Sequence, residues 1–302
     1  MNITEKLNGI VGVMNTPFSD NNQIDVESIK RYVNYVVDCG GVALLVTAMA
    51  AEINKLSIAE RELIVKTAIR EMKGRLPVIG GASVNAGESV FDMVDIYSDL
   101  GCDSILVSVP FTNEKEYLET IEKIADRIDT VLVVQDWDFE GFGIPVDTVK
   151  KMFNKIDKFQ SLKVEVKPAG VKYSAVINAT DGKLNVSGGW ASSQMIEALD
   201  RGVNAFMSTI FTDIYSEIYK LHRSGERQKA IELFNEFLPV ISFSHQHIDI
   251  SIHFNKLTNY KLGLFSTPNV RKPILEFDKY HRRIADELIN RTIKLSKKIT
   301  LN

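Results

Sequence analysis

The segment Ser161-Leu162-Lys163-Val164-Glu165-Val166-Lys167 alternates apolar and charged residues. As a strand it puts Leu162, Val164 and Val166 on one face and Lys163, Glu165 and Lys167 on the other. If the apolar face packs on helices, the three charges point into the interior of a sheet or barrel, where an unpaired ammonium is expensive. Such a lysine either pairs with a carboxylate or gives up its proton more easily, and a neutral lysine attacks carbonyl groups. Two readings follow: a Schiff-base lysine at Lys163, or an edge strand whose charged face is wet.

Three other segments carry candidate chemistry. The β-branched run Val131-Leu132-Val133-Val134 breaks into Gln135-Asp136-Trp137-Asp138, where Asp136 suits a general base and Gln135 an orienting amide. Asp138 suits the turn before Gly141 and Gly143. In Thr47-Ala48-Met49-Ala50-Ala51-Glu52 the small residues allow backbone amides to approach a carboxylate. Gly188 and Gly189, after Ser187, allow a similarly close approach or simply a tight turn. His245, His247 and His253 crowd one segment, but His245 and His247 do not share a helix face, and that segment lies far from the expected site. They read as core or surface residues. No GxxxxGK[ST] loop or GxGxxG fingerprint supports nucleotide binding.

The elements that must position these residues form a rhythm: short β-branched runs alternate with amphipathic stretches roughly every 25 residues, the pattern of repeated βα units. Strands are predicted at Gly9 to Thr16, Val42 to Thr47, Pro77 to Gly81, Ser104 to Val109, Thr130 to Asp136, Ser161 to Val166, Leu184 to Gly188 and Ala205 to Ser208. About eight such units close a (β/α)8 TIM barrel. Between them, Ile29, Tyr32, Val33 and Val36 recur at helical spacing, and Ser57-Ile58-Ala59-Glu60 is a capping box opening a helix that runs to Met72. After Thr212 the pattern becomes almost wholly helical, giving a barrel over residues 1–224 and a C-terminal helical extension over 225–302. In a barrel the chemistry sits at the C-terminal ends of the strands.

The chain has 302 residues, 45% hydrophobic and 25% charged, enough to bury a large core and unlike a disordered sequence. A net charge of -3 supplies no field for nucleic acid or anionic lipid. Cys39 and Cys102 read as small buried fillers, and no Cys/His spacing suggests a metal site. No run approaches the roughly 18 apolar residues of a membrane span, and MNITEKLNGIVGVMNTPF lacks a cationic leader pattern. A cytoplasmic protein is expected.

The order and spacing of GIVGVMNTPFSDNNQID, Glu52 with LSIAER, LPVIGGAS, GCDSILVSVPF, SLK and RGVNAFMST resemble the dihydrodipicolinate synthase / N-acetylneuraminate lyase family over most of residues 8–275. The resemblance implies a Schiff-base barrel acting on pyruvate or other 2-oxo acids, assembled as a homotetramer (a dimer of dimers), with Lys163 at the imine position. It implies no metal or organic cofactor. The departures are specific. Ala48-Met49-Ala50-Ala51-Glu52 replaces a GTTGE-like loop, leaving Thr47 as the nearest hydroxyl. Gln135 stands in place of the proton-relaying tyrosine, and Phe111 and Thr112 replace a tyrosine pair. Dihydrodipicolinate synthesis itself is therefore disfavoured, since one lost oxyanion donor alone costs about 2.7–4 kcal/mol of transition-state stabilisation.

The expected activity is a class I aldolase-type lyase or dehydratase on a 2-oxo acid or related sugar acid. Lys163 would be the nucleophile, Asp136 the proton shuttle and Gln135 an orienting group. Thr47, Ala50 and Ala51 would bind the carboxylate, Glu165 would hold the lysine pair or share the proton shuttle, Lys167 would neutralise an acidic substrate, and Gly188 and Gly189 would admit it. The alternatives are aldol condensation of pyruvate on the same fold and a non-catalytic barrel that binds a small acid.

Overall fold

The computed structural model describes residues 6–300, without the side chains of residues 190, 191 and 300. Eight parallel strands close into a barrel in sequence order: β1 Gly9–Val13, β2 Ala43–Val46, β3 Val78–Gly81, β4 Ser104–Val107, β5 Val131–Asp138, β6 Phe159–Val166, β7 Asn185–Gly188 and β8 Ala205–Ser208. The pleat divides the core in two. Val11, Leu45, Ile79, Leu106, Val133 and Met207 fill the barrel, while Ile10, Leu44, Ile105, Val134, Leu162 and Phe206 face the helices.

The strand-to-strand helices are α1 Val26–Asp38, α2 Ile58–Met72, α3 Val90–Asp99, α4 Glu114–Ala125, α5 Val146–Lys155, α6 Ala169–Ala179, α7 Met195–Asp200 and α8 Thr212–Arg223. Side-chain caps set where several begin. Asp25, Ser89 and Asn113 each accept an amide of the first turn, and Ser57 and Glu60 form the reciprocal capping box expected from their spacing. Three further helices follow, α9 Arg227–Ser244, α10 Ile248–Lys261 and α11 Lys279–Thr300. Among the described residues no helix is long and apolar enough to cross a membrane.

Two boundaries differ from expectation in ways that shape the site. β1 stops at Val13 and β4 at Val107, short of the predicted Thr16 and Val109, and the segments that follow lead into Pro17 and Pro110, which have no amide to continue a ladder. β5 and β6 have eight residues each and stay paired beyond the rim of their neighbours, with Gln135 opposite Lys163 and Trp137 opposite Glu165. The longest ribbon of the barrel thus carries the candidate chemistry.

Candidate active site

Lys163 and Glu165 project from β6 into a cavity of about 360 Å3 at the C-terminal end of the barrel, and their side chains are only 8% and 10% exposed. The Lys163 Nζ lies 3.3 Å from Glu165 Oε2, and the Gln135 amide donates to that same oxygen. This follows from register: inward positions on adjacent parallel strands meet across the ladder, so β5 supplies the amide that β6's carboxylate accepts. Gly189 leaves the space these groups use. A Cβ there would lie 2.1 Å from Glu165 Oε1 and 2.6 Å from Lys163 Cε.

Of the predicted site residues, Lys163, Gln135, Glu165, Lys167, Ala50 and Gly189 line one cavity. Lys167 stands at its mouth, with Nζ 5.5 Å from the centre of the Phe139 ring. Five expectations are corrected.

Asp136 is not in the cavity. One residue along from Gln135, it takes the opposite side of β5 and is buried among the helices, where Oδ2 lies 3.0 Å from the Lys172 Nζ and Oδ1 accepts the Ile144 amide at 2.9 Å. Burial raises its pKa against the opposing pull of Lys172, and burial lowers that of Lys172 against the pull of Asp136. Lys172 also donates to the carbonyls of Phe142 (2.8 Å) and Ile144. The pair therefore ties down the loop between β5 and α5 and lies outside the cavity lining.

Thr47 has a left-handed backbone (φ 54°), and its hydroxyl is engaged by the carbonyls of Val46 (2.7 Å) and Gly81 (3.3 Å) instead of facing the cavity. Ala51 is buried beneath the 3₁₀ turn Met49–Ala51, its amide bonded to the Ala48 carbonyl and its carbonyl to the Thr16 hydroxyl. Gly188 faces the helix layer, where a Cβ would meet the Tyr173 hydroxyl at 2.6 Å. Each error has the same origin as that at Asp136: one step along a strand or turn reverses the face.

The histidine segment is the fifth correction. The corner between α9 and α10 closes over the mouth of the barrel, and Ser244, His245, His247 and Ser251 line the cavity. Burial lowers the His245 pKa to about 4, against the raising effect of the Glu165 charge. Periodicity contained no sign of this, because it depends on where the extension folds back; the unusual crowding of histidines was the available signal.

Sequence reasoning also missed the anchor of the turn after β2. Glu52, at φ 57°, is buried with Lys55 at 3.0 Å, with Lys256 of α10 and with the Arg271 amide at 3.1 Å. Burial brings the Lys256 pKa down to about 8, although the Glu52 charge opposes the shift. The C-terminal helices thereby fix the turn that carries Met49 and Ala50 into the cavity. Among the described residues no group of three or more His, Cys, Asp or Glu side chains is placed to hold a metal ion.

A closed βα barrel with a buried lysine–carboxylate pair at its C-terminal end has the layout of a barrel enzyme whose strand ends carry the chemistry. The chain belongs to the dihydrodipicolinate synthetase family, whose model matches residues 6–292. Members of this family are lyases, and the chain is an enzyme of that class. It is 24% identical over 280 residues to 4-hydroxy-tetrahydrodipicolinate synthase of Lachnoclostridium phytofermentans, covering 90% of this chain and 94% of the relative. It is 23% identical over 283 residues to L-2-keto-3-deoxyarabonate dehydratase of Azospirillum brasilense, covering 90% of each. The crystal structure of dihydrodipicolinate synthase from Rhodopseudomonas palustris superposes with a TM-score of 0.88 at 23% identity, over 96% of this chain and 99% of that one.

Proposed function

We propose that the protein is a Schiff-base lyase or dehydratase acting on a 2-oxo acid, with Lys163 as nucleophile and Glu165 as proton carrier. The observation that carries this reading is the Lys163 Nζ to Glu165 Oε2 distance of 3.3 Å inside the cavity, with Gln135 holding the same carboxylate. Glu165 takes a proton from the lysine, and the neutral amine adds to the C2 carbonyl. Glu165 returns that proton to the carbinolamine oxygen, which leaves as water and gives an iminium that withdraws electrons from C3. Removal of a C3 proton by Glu165 gives an enamine. The enamine then expels the C4 hydroxyl as water, protonated by the Glu165 carboxyl. If the iminium instead loses the C4 hydroxyl proton to Glu165, the C3–C4 bond breaks, an aldehyde leaves and the same kind of enamine remains on Lys163. Glu165 replaces Asp136 in this role because it alone of the two shares the cavity with Lys163.

The substrate carboxylate would meet the 3₁₀ turn that opens at Met49, beside Ala50. Lys167 adds positive charge at the mouth. Assembly as a homotetramer and a cytoplasmic location belong to the same proposal; sedimentation showing a monomer at micromolar concentration would remove the first.

The test is borohydride reduction in the presence of pyruvate and longer 2-oxo acids, followed by intact mass and peptide mapping. A reduced adduct on Lys163, absent in Lys163→Ala, is expected. Glu165→Gln should still give adduct on prolonged incubation, while turnover falls by about 10²–10⁴, the usual contribution of a positioned acid–base group. Labelling elsewhere, or no labelling of folded protein alongside an active family member, would refute the imine.

A further inference from the structure

The cavity is wider than the lysine–carboxylate pair requires. At about 360 Å3 it falls in the range of about 300–1,000 Å3 that takes whole small-molecule ligands, more than a three-carbon acid on Lys163 would fill. Its outer wall comes from the segment after β8, from α8 and from the α9–α10 corner, through Thr209, Tyr215, His245, His247 and Ser251. That wall contributes no Lys, Arg, Asp or Glu to the lining.

The wall is built with directed hydrogen-bonding groups. Asn255 of α10 is fully buried, and its Nδ2 donates both to Thr209 Oγ1 at 2.8 Å and to Ser251 Oγ at 3.1 Å. Each of these hydroxyls accepts from Asn255 and keeps its own O–H as a donor. The same bonds tie α10 to the end of β8, so the corner is held to the barrel that carries Lys163. His247 caps α10, its Nδ1 accepting the Asp249 amide at 3.1 Å, which fixes the turn preceding Ser251. Tyr215 pairs with Ser192, 3.4 Å away. With its pKa held near 4, His245 presents a neutral imidazole at pH 7, able to exchange hydrogen bonds with a hydroxyl but carrying no charge to attract a second carboxylate.

We propose that the α9–α10 corner is the specificity-determining wall of this enzyme: Thr209, His245 and Ser251 read hydroxyl groups at the far end of a 2-oxo acid bound at Lys163, against both a bare alkyl end and a second carboxylate. This rests on the function proposed above. Asn255 acts as a positioning residue through Thr209 and Ser251. An alkyl chain offers the Thr209 and Ser251 hydroxyls no hydrogen bond, and the wall itself supplies no cation to an additional carboxylate, Lys167 lying just after β6 and not on this wall.

The test compares four acids in competition for borohydride labelling of Lys163: pyruvate, a 2-oxo-3-deoxyhexonate, 2-oxohexanoate and 2-oxoadipate. The hydroxylated acid should label the parent at least about tenfold better than 2-oxohexanoate or 2-oxoadipate, the effect of two or three hydrogen bonds of ordinary strength. His245→Phe, Thr209→Val and Ser251→Ala should each reduce that preference several-fold, read within each variant as the ratio of labelling by the hydroxylated acid to labelling by 2-oxohexanoate. His245→Asn, neutral and still hydrogen-bonding, should retain most of it. Equal labelling of the three longer acids by the parent, or an unchanged preference in all three wall variants with native unfolding curves, overturns the proposal. If pyruvate labels no lysine, the imine reading fails instead, and calorimetric titration with the same four acids still reads the preference of the wall.

Discussion

Replacing Gly189 by alanine examines the core of the site without removing a reacting group. The added methyl would sit 2.1 Å from Glu165 Oε1, 2.7 Å from Glu165 Cδ and 2.6 Å from Lys163 Cε. Cβ atoms do not approach other heavy atoms within about 3.0 Å, so the carboxylate must retreat by about 0.9 Å. Glu165 cannot move without disturbing the Lys163 contact at 3.3 Å and the bond from Gln135. A misplacement of about 1 Å typically costs about 100-fold in rate, so Lys163 labelling by pyruvate and any turnover should fall by about that factor. Overpacking should cost about 1–3 kcal/mol of stability. Gly188→Ala is the control. Its methyl meets the Tyr173 hydroxyl at 2.6 Å in the helix layer, so it should lose comparable stability and keep its labelling rate. The assay is the initial rate of borohydride-dependent adduct formation, with urea unfolding of both variants. Parental labelling by Gly189→Ala, or equal losses in both variants, would show that the Lys163–Glu165 geometry does not limit the chemistry.

Two predictions concern buried charge. Lys172→Met leaves Asp136 buried without its cation and should cost about 3–5 kcal/mol, and adding Asp136→Asn should recover part of that loss; urea unfolding of the single and double variants checks this. His245 has a folded-state pKa lowered from 6.5 to about 4. A lowered pKa means that the unfolded chain binds the proton more readily, so the native state keeps its full stability above pH 6.5 and loses it progressively as pH falls toward about 4. His245→Phe should show a shallower loss over that window than the parent, and parallel curves would place the imidazole in water.

Much of this was legible from local pattern, because local pattern is what secondary structure responds to. The βα rhythm, the Ser57–Glu60 capping box and the alternation in Ser161–Lys167 each depend on residues a few positions apart. Strand alternation alone placed Lys163 and Glu165 on one face. Applied with equal strictness to β5, the same rule would have sent Asp136 to the other side from Gln135, since Val131, Val133 and Gln135 share a face.

What tertiary structure alone decided is everything that depends on distant segments meeting. Lys172 follows Asp136 by a whole helix and a whole strand, and nothing local foretells that its ammonium enters the β5–α5 loop to bind the carbonyl of Phe142. Glu52 and Lys256 are separated by most of the chain, yet they share one buried contact that fixes the turn beneath the cavity. The α9–α10 corner reads in sequence as part of a helical tail, set apart only by its crowded histidines. Only its return to the barrel mouth, through the bond from Asn255 to Thr209, turns His245 and Ser251 into a wall of the site. Composition and periodicity determine which face of an element is apolar; which partner covers that face is set by packing among all the elements at once.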